Sequence, residues 1–272
     1  MTEIQSAILV FVLLLGGTGL GILLRPLLPE EHRRHETVQL VQLVIGMLVT
    51  FAALVLGLLT ASAKASFDTA SNDMRAYSAE LIQLDTRLRE YGPDAAGPRN
   101  ALRAYTAAAI ASTWPAETPP PGNDYPRVPA LDPDQLESRP LGALLNSVGR
   151  QIDALAPRDR FQQVLAADIQ QHFARVTDTR WRLIEEAHSS ISRPFFAMLV
   201  LWLIVIFLSF GLIAPRNALA IVTILLGALS ISSAVYVIVD LDTPFTGVIV
   251  IPSASMRNAL EHMSVAPAQA PS

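Results

Sequence analysis

Half of this 272-residue chain is hydrophobic and only 16% of it is charged, a composition that fits a polytopic membrane protein with one polar insert. The net charge of −4 and a single lysine, Lys64, leave no basic patch for nucleic acid. There is no cysteine, which excludes disulfides, thiolate catalysis and sulfur-ligated metals.

Four uncharged stretches follow one another: Ala7 to Leu24, a second within Val38 to Ala63, Pro194 to Ala214, and Asn217 to Val239. About 20 apolar residues in a helix cross roughly 30 Å of hydrocarbon. Lipid cannot hydrogen-bond a bare backbone, so each stretch is predicted to be a helix. The first, with no Lys or Arg ahead of it and Arg25-Pro26 behind it, reads as a retained anchor. Its Gly17 and Gly21 stand four apart, a spacing that lets a neighbouring helix backbone come close. The hairpin that follows sets Arg25, Arg33, Arg34, His32 and His35 against Glu30, Glu31 and Glu36. His32 and His35 could share a helical face and recruit Glu31 or Glu36 to a metal, but a solvated loop is the simpler reading.

The second span does not end at the bilayer. Neither Gly nor Pro interrupts Thr60 to Tyr91, and Phe67, Ala70, Met74, Tyr77, Leu81, Leu84 and Leu88 are spaced alternately by three and four. That heptad seam predicts one long rod, which packs either on later helices of this chain or on another subunit. A helix is expected from Gly97-Pro98 to Trp114, and from Pro115 to Pro140 eight prolines break all periodicity, as an extended crossover would. Leu141, Leu144, Leu145, Val148, Ile152 and Leu155 line one further helix, and Phe161, Leu165, Ile169, Phe173 and Val176 another. The predicted fold is therefore all-α. Membrane helices occupy 1–63 and 194–240, a soluble helical bundle 64–193, and a turn and tail 241–272.

Sites of chemistry are scarce. No nucleophile elbow, P-loop or zinc-protease motif occurs, so no catalytic residue, metal site or cofactor is expected. The spans contain no Asp, Glu, Lys, Arg or His, which argues against a proton-coupled pump. What polarity they carry is mild, as at Thr18, Gln42, Thr50, Thr223, Ser230, Ser232 and Ser233. The most specific local pattern follows the fourth span, as Asp240-Leu241-Asp242-Thr243-Pro244-Phe245-Thr246-Gly247. Acids oppose the dipole at a helix C-terminus. Two of them there, ahead of Pro and Gly, predict a constrained turn anchored by Phe245.

Three stretches together resemble the bacterial bestrophin-like domain family. They are A-L-V-L-G-L-L-T-A-S-A-K-A-S-F-D-T from Ala53 with the later L-I-Q-L-D and Y-G-P, F-L-S-F-G-L-I-A-P-R-N from Phe207, and the turn with Met256, Ala259 and Leu260. The turn residues Asp240, Asp242, Pro244, Phe245 and Gly247 belong to that resemblance. More distantly the chain is similar to true bestrophins, pentameric anion channels with four spans per subunit. That similarity implies a homo-oligomer in the bilayer, a pore along the second span, and a helical insert extending the vestibule. Thr50 and Phe51 would then face the pore, with Lys64 attracting anions at the end of the span. Bestrophins place an Ile and two Phe on successive turns of that span, of which Phe51 alone is present. Pro244-Phe245 is similar to the Pro-Phe-Gly ahead of the calcium-binding run in animal bestrophins, but Val248 to Ile251 replaces that run, so no calcium is expected.

The other reading is a non-conducting scaffold or sensor whose stalk binds a protein partner. Either way the chain is expected in the inner (plasma) membrane. Arg25, Arg33 and Arg34 favour a cytoplasmic hairpin. Lys64, Arg75, Arg180, Arg182 and Arg193, with the bestrophin likeness, favour a cytoplasmic insert, and the insert is the expected inner side.

Overall fold

The computed structural model describes residues 3–27, 35–122, 125–129, 138–186, 193–215 and 217–264. His32, and the side chains of His35 and Glu36, lie outside the described residues, as does much of the proline crossover. Among the described residues all regular structure is helical: α1 (Glu3–Leu24), α2 (His35–Tyr91), α3 (Ala96–Thr113), α4 (Arg139–Asp153), α5 (Arg160–Glu186), α6 (Arg193–Ile213), α7 (Ala218–Leu241) and α8 (Ala254–Ser264). The helices α1, α2, α6 and α7 are each long and apolar enough to cross a membrane. The four-span, all-α architecture with a helical insert is the one the sequence predicts.

The chain divides into two compact units. The first comprises Met1–Phe67, Ser189–Thr243 and Gly247–Ile249. Here α1 packs against both α6 and α7. Its core is a narrow apolar cluster in which Leu14, Leu199, Ala228 and Val235 are fully buried. Gly17 and Gly21 are what bring α1 against α6. A Cβ at Gly17 would come within 3.1 Å of the Ile204 carbonyl oxygen, and one at Gly21 would collide with the Leu208 carbonyl. Across the contact, a Cβ at Gly211 would strike the Thr18 carbonyl, so both helices need glycine at the same crossing. Gly16 and Gly19, on the other side of α1, face nothing. At the end of α6, Arg25 Nη1 donates to the Ala214 carbonyl at 2.6 Å, placing a cation where the helix dipole is negative.

The second unit comprises Asp68–His188, Pro244–Thr246 and Val250–Ser272. Its core is built on the predicted seam from Ala70 onward: Ala70, Met74, Tyr77, Leu81, Leu84 and Leu88 are all buried, whereas Phe67, the seam's first residue, belongs to the first unit and packs, partly buried, against its apolar cluster. The rod is one 57-residue helix, closed by Gly92 at φ 101°, a conformation open chiefly to glycine. Ser138 caps α4 by accepting from Leu141 N at 3.4 Å, with Pro140 in the first turn where its missing donor costs nothing. The segment read from sequence as turn and tail also contains an eleven-residue helix, α8, which packs on α3. Its three buried residues, Met256, Ala259 and Met263, are too few for a periodicity signal.

Candidate pore face and the turn after the fourth span

Around the apolar half of α2, Ile45, Ala52, Leu59 and Ala63 form one buried stripe. At 3.6 residues per turn, Leu43, Met47, Phe51, Leu54 and Leu58 fall on the opposite side, between 52% and 70% exposed. Thr50 shares that exposed face, but its hydroxyl donates back to the Gly46 carbonyl at 2.9 Å and lends the face little polarity. The Phe51 ring lies 6.4 Å from that of Trp202. Lys64 is exposed beyond these residues, its ammonium 5.9 Å from the centre of the Phe67 ring. So of the three residues singled out on this span, Thr50 and Phe51 share a face and Lys64 flanks it.

The turn after α7 folds back on the end of the helix. Asp240 is fully buried and its two carboxylate oxygens accept from Val248 N at 3.0 Å and Ile249 N at 2.9 Å. A buried carboxylate needs such donors in place of water. Gly247 makes the fold-back possible: its φ is 93°, and a Cβ there would collide with Asp240 Oδ1. Thr243 Oγ1 donates to Glu3 of α1 at 3.2 Å, and Asp242 is buried as well. In the second unit, Pro244 accepts from Ile251 N at 2.9 Å, and the Phe245 ring meets Trp114 edge-on at 6.3 Å. Trp114 is itself fixed by a 2.7 Å bond from its indole N–H to the Ile251 carbonyl.

The insert holds several polar groups that periodicity does not reveal. Asp85, buried on the rod, accepts from Arg89 and Arg99, each at 2.8 Å. The same two guanidinium groups donate to the His262 and Met263 carbonyls at the end of α8. At the start of α8, Glu117 accepts from Ser253 Oγ and pairs with Arg257 at 2.9 Å. The Ser253 bond chiefly, and Arg257 after it, hold the Glu117 carboxyl below its usual range against a partial desolvation. His172 meets Glu80 at 3.1 Å. Tyr77 and Tyr105 hydroxyls lie 2.6 Å apart. Burial pushes the Tyr105 hydroxyl up, and nearby Arg180 partly offsets it. Among the described residues no cluster of three His, Asp or Glu could hold a metal.

The bestrophin-like domain family model matches residues 12–256. The chain belongs to the bestrophin-like family. Solved structures agree on the fold. A crystal structure of a bacterial bestrophin homologue from Klebsiella pneumoniae, phased on zinc, is 17% identical with a TM-score of 0.62 over 96% of this chain and 97% of that one. A single-residue variant of that homologue gives 17% and 0.58 over 94% and 97%. A crystal structure of a protein described only as a membrane protein gives 18% and 0.61 over 94% and 97%. No curated protein matches. The chain is thus a bestrophin-like membrane protein. Sequence reasoning about this family member missed the Asp85 and Glu117 clusters and the Tyr105–Arg180 pair, because each joins positions that local spacing does not connect.

Proposed function

We propose that this bestrophin-like protein assembles as a homo-oligomer and conducts small anions along α2. The observation that carries the reading is the large apolar face of α2 opposite its packed stripe, on a helix whose membrane-crossing part is only 17% buried within the chain. Such a face is left for other copies, lipid and a pore. With Met47, Phe51, Leu54 and Leu58 on successive turns, it suits a hydrophobic constriction that controls conduction by wetting. Lys64, just past that face, would concentrate anions at its mouth. The insert we place on the cytoplasmic side of the inner membrane. A scaffold role gains less support, since the rod's seam is covered by the chain's own helices and is not free for a partner.

Purified protein in sealed liposomes tests this. The expected result is chloride flux down a gradient, with Lys64→Glu shifting selectivity towards cations, and a multimer in mild detergent. Vesicles that stay tight to both ions, or a monomer, would remove the channel reading.

A further inference from the structure

Within the insert unit a small cavity of about 90 Å³ is lined by Tyr77, Tyr105, Trp114, Ser138, Arg180 and Phe245. Its chemistry is one-sided. Arg180 is only 9% exposed, yet among the described residues no carboxylate pairs with it. Its interactions are with the Tyr105 hydroxyl and with the face of Trp181, 5.5 Å away. A buried guanidinium carries five N–H donors and a charge that is strongly unfavourable without a counter-ion. The tyrosines add to the surplus. They bring two hydroxyl protons and share one hydrogen bond, so whichever donates, one proton is left over. The Ser138 oxygen already accepts from Leu141 N, which leaves its proton to give as well. Trp114 has spent its N–H on the Ile251 carbonyl and offers only an apolar wall.

We infer that this cavity binds a small monovalent anion, which accepts from Arg180 and the Tyr77–Tyr105 pair and supplies the missing negative charge. Size sets the class. A water needs on the order of 10–15 Å³ of such space, so the cavity takes chloride, nitrate or a short carboxylate with a few waters, and excludes nucleotides. Aromatic walls from Phe245 and Trp114 suit a weakly hydrated ion. The site lies within the insert and does not depend on conduction, so its failure and that of the channel reading are separable.

The test is thermal unfolding of the detergent-solubilised chain, replacing sodium gluconate with sodium chloride, nitrate or acetate at fixed ionic strength. The wild type should gain melting temperature saturably with at least one of these ions. The order among them tells an inorganic ion from a carboxylate. Arg180→Gln should melt independently of the ion. Tyr105→Phe keeps the charge and the ring, and should move the half-saturating concentration up by about tenfold, the loss of one hydrogen bond to a charged group. It carries the test if Arg180→Gln does not fold. A wild type indifferent to the ion, or variants that respond as the wild type does, would overturn the site.

Discussion

The two units both bury apolar side chains, but they leave very different surfaces and hold their helices together differently. In the membrane unit many large apolar side chains point outward, Leu23, Leu54 and Leu219 at 69%, 70% and 75% exposed, around a thin buried cluster that includes Leu14, Leu199 and Phe207, and glycines meet at the crossing of α1 and α6. In the insert Leu81, Leu84, Leu88 and Leu102 are completely buried, with Phe161, Val164 and Trp181 the main large apolar side chains left out. The difference follows from solvent. Water drives leucines together in the insert, whereas lipid is as apolar as leucine and leaves close backbone packing to hold helices. It also explains where charge sits: the insert can bury Asp85, Arg180 and His172 because it has partners or a cavity for each, while the buried Asp240 of the membrane unit is held by backbone N–H groups.

The largest effect should come from the insert's buried charge. Asp85→Ala removes the acceptor shared by Arg89 and Arg99, and with it the brace that holds both guanidinium groups on the α8 carbonyls. Breaking a buried pair costs about 3–5 kcal/mol. The variant should melt earlier and release α8 to protease first. Unchanged melting and proteolysis would mean the brace is incidental.

A smaller and sharper contrast lies within one helix of the membrane unit. Gly21→Val forces a side chain into the α6 backbone, and overpacking of this kind costs about 1–3 kcal/mol. Gly16→Val, five residues earlier on the open side, should cost little, since nothing lies within 4 Å. Equal melting temperatures for the two would show that glycine packing does not hold α1 to α6.

How much of this was legible follows the same division. The rod and its seam could be read because water-driven packing writes a period into the sequence, and six of the seven seam residues are buried. Gly17 and Gly21 were readable from spacing, and the turn from its Pro, Gly and acids. Gly211, their partner in α6, was not, because a single glycine in an apolar run carries no signal until its neighbour is known. Nor was α8, a short helix secured by Arg89, Arg99 and Glu117 from more than 130 residues away in sequence. Arg180 was visible only as a cation flanking the insert; its burial beside two tyrosines is a tertiary fact.

The smallest effect is one of pH, and it separates the two ends of α8. Glu117 sits at the N-terminal end, where Ser253, Arg257 and the helix dipole all favour the carboxylate. Its folded pKa lies below the ordinary 4.5, with the Ser253 hydrogen bond as the main cause. A depressed pKa means the carboxylate stabilises the folded state above about pH 4.5, and that this contribution fades as pH falls through the lower folded value. The side chain is 38% exposed, so solvent screening keeps the contribution below about 1 kcal/mol. Other acids titrate in the same range, so the quantity to measure is the melting-temperature gap between wild type and Glu117→Gln. That gap should narrow from pH 6 towards pH 3.5 and shrink in high salt. A gap that holds constant across this range would assign the N-terminal end of α8 to packing alone, and leave the Asp85 brace to carry the electrostatic hold on the helix.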